Sequence, residues 1–138
     1  MGVERPGGCH CGGVRFTANL PEELRPRRCN CSICSMKGAV MVDVPLGDLT
    51  VTQGEELLTV YTFNTGVAKH HFCRVCGIHC FHQTRSDPDR YGINVACLDG
   101  MSPYDWAEVP VSDGQHHSSD HGGVRRLAGV MRFVPQPD

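Results

Sequence analysis

The sequence has no run of apolar residues long enough to cross a membrane, which takes about 18 residues. Residues 1–6 also lack the apolar segment of a secretion signal, so we expect a cytoplasmic protein with no membrane partner. Positive charge is not in excess either, since 13 lysines and arginines stand against 15 aspartates and glutamates. Proteins that bind phosphate backbones usually carry a basic excess, which makes nucleic acid an unlikely partner on composition alone.

No long helix is predicted either, because no long segment repeats its apolar residues with the 3.6-residue period of an amphipathic helix. At about 150 residues per domain, the 138 residues predict a single domain over residues 1–138. Apolar and polar residues alternate instead, which predicts half-buried strands. The predicted strands are residues 14–18, 39–42, 49–52, 57–63, 91–95 and 130–134. Short helical turns are predicted at residues 21–24, 31–37 and 102–106, so the predicted fold is all-β.

Cysteine is abundant, with nine residues in the chain, and this is unusual without a secretion signal. All except Cys97 fall into three tight groups. The groups are Cys9 and Cys11, then Cys29, Cys31 and Cys34, then Cys73, Cys76 and Cys80. Clustered cysteines in a reducing compartment indicate metal binding more than disulfides, and the odd number argues against complete pairing. We therefore predict zinc.

Zinc takes four protein ligands in a closed structural site and commonly three in a catalytic site. The cysteines allow one site of each kind. The closed site would use Cys9, Cys11, Cys73 and Cys76. The open site would use Cys29, Cys31 and Cys34. Spacing alone does not force this partition, because Cys29 and Cys31 could instead close a site with Cys73 and Cys76.

Several other candidate ligands are given a structural role instead. Cys80 and the histidines are not expected to bind metal; these histidines are His10, His70, His71, His79 and His82. Cys97 lies in an alternating apolar run and is predicted to be a small core residue. Residues 114–123 contain three histidines and no large apolar side chain, so a mobile surface loop is expected there. An alternative use of Cys80 or Cys97 is as an exposed, redox-active thiol.

Three segments together resemble the glutathione-dependent formaldehyde-activating enzyme family. They are residues 8–16 (GCHCGGVRF), residues 29–34 (CNCSIC) and residues 72–77 (FCRVCG). Their order and spacing are specific, and the resemblance is clearest over residues 8–107. Residues 61–65, 71–81 and 85–88 resemble the centromere-protein-V-like branch of that family.

The resemblance implies an all-β fold of small twisted antiparallel sheets, of the Mss4-like type, held by two zinc ions per chain. It also implies a structural site at Cys9, Cys11, Cys73 and Cys76, and a catalytic site at Cys29, Cys31 and Cys34. The implied activity is a carbon–sulfur lyase reaction that joins a small thiol such as glutathione to an aldehyde such as formaldehyde, giving S-hydroxymethylglutathione. An open zinc site of three thiolates suits this reaction, since it can bind a fourth sulfur and keep it deprotonated.

Polar residues near the open site are candidates for orienting the substrate or moving a proton. They are Asn30, Ser32, Lys37, Asn64 and His71. The alternative function is a non-enzymatic, zinc-pinned module that binds a protein or nucleic-acid partner. A local basic cluster around the second cysteine group would support that alternative; its members are Arg25, Arg27, Arg28 and Lys37.

Overall fold

The computed structural model describes residues 2–138, and it builds them from eleven strands, one α-helix and four 3-10 turns. The strands are β1 (Gly2–Gly8), β2 (Arg15–Pro21), β3 (Arg28–Cys29), β4 (Met41–Pro45), β5 (Leu49–Gln53), β6 (Leu58–Tyr61), β7 (Lys69–Cys73), β8 (His79–Gln83), β9 (Arg90–Asn94), β10 (Glu108–Ser112) and β11 (Leu127–Arg132). The helix is α1 (Ser32–Lys37). In this part of the chain no helix is long and apolar enough to cross a membrane.

The strands form three sheets. The first has the order β1-β2-β5, the second β11-β10-β3, and the largest β4-β9-β8-β7-β6. Pairing is antiparallel within the first and the largest sheet, whereas the short β3 runs parallel to β10. The predicted all-β fold of small antiparallel sheets is therefore confirmed.

The core lies between the first sheet and the largest one. On β2 the side chains of Phe16, Ala18 and Leu20 alternate inward and are fully buried, as the period-2 pattern predicts. Phe16 meets Phe81 of β8 edge to face, with ring centroids 5.7 Å apart. Since aromatic pairs of this geometry are favourable beyond their buried area, this contact helps to fix the two sheets against each other.

Five strands were not predicted from the sequence, namely β1, β3, β7, β8 and β10. The two residues of β3 are too few to show an alternation. β1 and β10 contain proline or glycine, which are depleted in strands. β7 and β8 contain inward-facing histidines and cysteines in place of aliphatic residues. Pairing with neighbouring strands, and not local propensity, places all five in the sheets.

One of the three predicted helical turns is a helix. Residues 31–37 are confirmed, since α1 follows Cys31 and ends at Gly38, whose left-handed backbone caps it. The prediction for residues 21–24 is wrong, because Pro21 ends β2, residues 22–23 form a bend, and Leu24 packs on the core outside any helix. Residues 102–106 form only one hydrogen-bonded turn, in which the Asp105 carboxylate accepts the backbone N–H of Ser102.

Candidate functional site

The first cysteine cluster joins two turns that lie 60 residues or more apart in the chain. Cys9 and Cys11 lie in the turn between β1 and β2, and Cys73 and Cys76 lie where β7 turns into β8. Their four sulfurs lie within 4.8 Å of one another, and Cys11 Sγ is 3.5 Å from Cys9 Sγ and 3.8 Å from Cys73 Sγ. Tetrahedral zinc, with Zn–S near 2.3 Å, separates its sulfurs by roughly 3.8 Å. The cluster therefore has the dimensions of a closed zinc site.

Backbone N–H groups point at these sulfurs and favour their anionic form. The N–H of Val14 donates to Cys9 Sγ at 3.3 Å, and the N–H of Val75 donates to Cys73 Sγ at 3.4 Å. The N–H of Ile78 lowers the pKa of the Cys76 thiol to about 6. Because a thiolate is the form that binds a metal, these backbone hydrogen bonds favour metal binding at the two turns.

The second cluster is built around the start of α1. Strand β3 positions Cys29, Cys31 is the N-cap of the helix, and Cys34 lies in its first turn. Cys29 Sγ accepts the N–H of Cys31 at 3.5 Å, and Cys31 Sγ accepts the N–H of Cys34 at 3.4 Å. The three sulfurs lie within 4.8 Å of one another, so the local fold of one short segment brings together all three cysteines.

The three sulfurs cannot all be thiolates without a cation between them. The neighbouring thiols of Cys29 and Cys34 hydrogen-bond to Cys31 Sγ and lower the pKa of Cys31 to about 2. The same contacts raise the pKa of Cys34 above its usual range. A bound cation removes this repulsion and lets every thiol deprotonate, so the donor set fits zinc.

A loop from the C-terminal part of the chain closes over this cluster. The backbone N–H of Gly114 donates to Asn30 Oδ1 at 2.7 Å, and the N–H of Gln115 donates to the same oxygen at 3.1 Å. A Cβ at Gly114 would lie 2.4 Å from Cys29 Sγ and 2.7 Å from Cys31 Cβ. The sequence predicted a surface loop at residues 114–123, and it gave no sign that Gly114 and His117 of this loop line the site.

Gly114→Ala is expected to weaken metal binding at Cys29, Cys31 and Cys34 by about 10- to 100-fold, the usual effect of disturbing groups that support metal ligands. The added methyl has no room beside the Cys29 sulfur. Competition with a chromophoric zinc chelator measures the change. Gly129→Ala is the matched control, because nothing lies within 4 Å of the position that its added methyl would take. Equal zinc affinities for the two variants would contradict the packing role of Gly114.

The second cluster opens into a cavity of about 280 Å³. Cys31 and Cys34 form one part of its wall. Polar side chains form much of the remainder, among them Asn64, Thr84, Arg85 and His117. The volume is close to the lower end of ligand pockets, about 300 Å³, so the cavity suits a small molecule.

The polar candidates named from the sequence take different positions. Ser32 and Asn64 line the cavity. Asn30 holds the loop at Gly114, and Lys37 Nζ lies 2.7 Å from His70 Nδ1. His71 stacks on Phe81 with centroids 4.8 Å apart and does not line the cavity. Thr84, Arg85 and His117 were missed, because no local motif links them to the cysteines.

The basic cluster around the second cysteine group is largely engaged within the protein. Arg27 forms a two-pronged ion pair with Asp43, with N···O distances of 2.8 and 3.0 Å. Arg28 donates to the carbonyl of Gly38 at 2.9 Å, while Arg25 is exposed. These contacts leave little of the cluster free to bind phosphates.

Cys80 and Cys97 lie apart from both clusters. Both are buried in the core, so the core prediction for Cys97 is confirmed. The adjacent Cys97 thiol raises the pKa of Cys80, which keeps that sulfur protonated. The prediction of an exposed, redox-active thiol at either residue is wrong, because such thiols need solvent access and thiolate character.

Three comparisons show which known proteins this chain resembles. The family model described as glutathione-dependent formaldehyde-activating enzyme matches residues 4–110. A crystal structure of a Rhodobacter sphaeroides protein is 48% identical, with a TM-score of 0.71, and the match covers 77% of this chain and 98% of that one. A curated Halomonas elongata protein, provisionally named glutathione-dependent formaldehyde-activating enzyme, is 33% identical over 78 residues. That match covers 51% of this chain, which spans about half the length (50%) of the curated relative. The chain belongs to the glutathione-dependent formaldehyde-activating enzyme family.

Proposed function

We propose that this protein catalyses the reversible joining of a small thiol to an aldehyde, as a zinc-dependent carbon–sulfur lyase. Glutathione and formaldehyde are the substrate pair that the family name suggests. The observation that carries the proposal is the cluster of Cys29, Cys31 and Cys34, of which Cys31 and Cys34 line the cavity. Within residues 2–138 no fourth cysteine, histidine or carboxylate joins this group, which leaves one coordination position for a substrate.

Two zinc ions would have different tasks. Cys9, Cys11, Cys73 and Cys76 would hold a structural ion, and Cys29, Cys31 and Cys34 would hold the catalytic one. The catalytic zinc would supply the positive charge that keeps an incoming thiol deprotonated near neutral pH. The cavity beside these cysteines would hold the aldehyde next to the sulfur and exclude bulk water.

The reaction needs one bond to form and one proton to reach the carbonyl oxygen. The thiolate sulfur attacks the aldehyde carbon, a C–S bond forms, and the C=O π electrons move to the oxygen, which then takes a proton. The reverse reaction breaks the same C–S bond and returns the electron pair to sulfur. The proton donor must therefore face the cavity and be able to regain its proton from solvent.

His117 is suited to stabilise the negative oxygen with a hydrogen bond until a water molecule in the cavity supplies that proton. Its Nδ1 accepts the backbone N–H of Ser119 at 3.1 Å, so in the neutral ring the proton is on Nε2. Burial lowers the pKa of His117, which favours this neutral form at pH 7. Arg85, held by Asp120 on the same wall, places a positive charge where an anionic thiol such as glutathione would enter.

His117→Gln is expected to reduce the reaction rate about 100-fold, at the lower end of the effect of losing a hydrogen-bond donor to a developing oxyanion, without changing the zinc content. The rate is measured with glutathione and formaldehyde by NMR exchange spectroscopy, against the uncatalysed reaction. His121→Gln is the matched control, since His121 is exposed on the same loop and does not line the cavity. Equal loss in both variants would contradict a role for His117 in stabilising the negative oxygen.

The function itself is tested with the zinc-loaded wild-type chain. We expect acceleration of thiol–aldehyde exchange, together with a thiol-dependent change in the sulfur-to-metal absorption of a cobalt-substituted sample. If neither glutathione nor smaller thiols produce either effect, the proposed function is wrong.

A further inference from the structure

Three buried histidines form a third cluster, in the largest sheet. His70 lies on β7, and His79 and His82 lie on β8. One ring nitrogen from each lies within 4.8 Å of the other two. His70 and His82 are only 4% and 5% exposed, so this cluster is part of the protein interior.

A β-bulge explains why His79 and His82 face the same way. Residues three apart on a regular strand point to opposite faces of the sheet. Here Phe72 pairs with His79 and His71 pairs with Phe81, which makes Cys80 an extra residue on β8. The extra residue shifts the alternation by one, so both histidines turn toward His70 across the strand pair.

Four of the six ring nitrogens in this cluster are buried without a hydrogen-bond partner. Nε2 of His70, both ring nitrogens of His79, and Nδ1 of His82 are shielded from solvent and unpaired. A buried polar atom without a partner carries a desolvation cost, and native structures contain few of them. Burial also lowers the pKa of His70 to about 4 and of His79 to about 3, so the rings are neutral and offer lone pairs.

We propose that His70, His79 and His82 bind a third metal ion, a divalent ion with a preference for imidazole such as zinc. Tetrahedral zinc with Zn–N distances near 2.05 Å separates its nitrogens by roughly 3.4 Å, so small ring rotations complete the site. The site is separate from both cysteine clusters, since none of its three ligands belongs to either. It would take up ions from the cavity at Cys31 and Cys34, because His70 and His82 line that cavity too.

Positive charges beside the cluster oppose the ion and provide a test. Lys37 Nζ lies 2.7 Å from His70 Nδ1. Arg27 approaches His82 as well, but its charge is offset by Asp43. A competing account is that Lys37 and water molecules satisfy the three rings with no metal. The two accounts differ in what removal of the lysine charge should do to metal affinity.

Titration of the metal-free full-length protein with Co²⁺ distinguishes these accounts. We expect three equivalents, of which two raise the intense sulfur-to-cobalt absorption and one adds only weak ligand-field bands. Lys37→Met is expected to tighten binding of the sulfur-independent ion about 10-fold. Saturation of the wild type at the two thiolate sites, with no third ion, would overturn the proposal without affecting the proposed function.

His79→Gln is expected to remove the third equivalent and leave the sulfur-to-cobalt bands unchanged. His71→Gln is the matched control, since His71 lies on β7 beside the cluster but stacks on Phe81. A third ion that survives in both variants would overturn the assignment of the ligands. If His79→Gln does not fold, the wild-type stoichiometry and the effect of Lys37→Met still decide the question.

Discussion

Replacing Cys31 by serine is expected to lower the zinc content by one ion per chain and to reduce the thiol–aldehyde reaction more than about 100-fold. Loss of groups that merely support metal ligands costs about 10- to 100-fold, so loss of a ligand should exceed that range. The fold should survive. Cys31 is the N-cap of α1 and accepts the N–H of Cys34, and serine is among the best N-cap residues.

Metal analysis by mass spectrometry, the exchange rate and thermal unfolding together test this expectation. Ser35→Ala is the matched control, because Ser35 is an exposed residue of the same helix and is not part of the cluster. Full activity in Cys31→Ser would show that the chemistry does not need this cluster. A collapse of the fold in that variant would instead assign the cluster a structural role.

Replacing Cys73 by serine is expected to abolish cooperative folding. Cys73 is fully buried at the end of β7, and its cluster ties the β1–β2 turn to the β7–β8 turn. Structural zinc contributes roughly 10–16 kcal/mol in zinc-finger peptides, whereas a whole domain is stable by only about 5–15 kcal/mol. Loss of one of the four thiolates therefore removes a free energy comparable to the whole stability.

Circular dichroism and calorimetry are the measurements for Cys73→Ser, and strong chelation of the wild type should have the same effect. Cys97→Ala is the control, since Cys97 is also a buried cysteine but belongs to neither cluster. That variant should lose about 1 kcal/mol, the cost of a small core truncation, and should still unfold cooperatively. A native-like unfolding transition in Cys73→Ser would show that the fold does not depend on this ion.

The two cysteine variants together separate the two clusters. Cys31→Ser removes an ion from a cysteine cluster that one short segment forms beside the cavity. Cys73→Ser instead removes an ion that links two sheets. The same cysteine-to-serine change is thus expected to remove activity but not the fold at Cys31, and to remove the fold itself at Cys73. The difference arises from where each sulfur lies.

Strands with a regular alternation were predictable, whereas β1, β3, β7, β8 and β10 were not. The alternation of Phe16, Ala18 and Leu20 predicts β2 directly, because one face of this strand is buried and the other is not. β8 cannot be read in this way, since its bulge at Cys80 changes the side-chain alternation within the strand. A bulge is set by the partner strand, and local sequence carries no signal for it.

Part of the candidate site was also predictable from local sequence, and part of it depends on tertiary folding. Spacing placed Cys29, Cys31 and Cys34 together, because residues so close in sequence can converge within one turn of chain. Spacing did not reveal that Gly114 packs on Cys29, since 85 residues separate them and only tertiary folding brings the loop to the cluster.

The sequence by itself determined the chemistry that is available: nine cysteines in tight groups, an alternating β pattern, and three segments that resemble one enzyme family. Tertiary structure decided which polar groups share a space with the sulfurs. It placed His117 and Arg85 at the cavity. It also brought His70, His79 and His82 together beside the cavity, which His70 and His82 line. The physical reason is that local patterns fix short-range geometry, whereas long-range contacts depend on the register and bulges of paired strands.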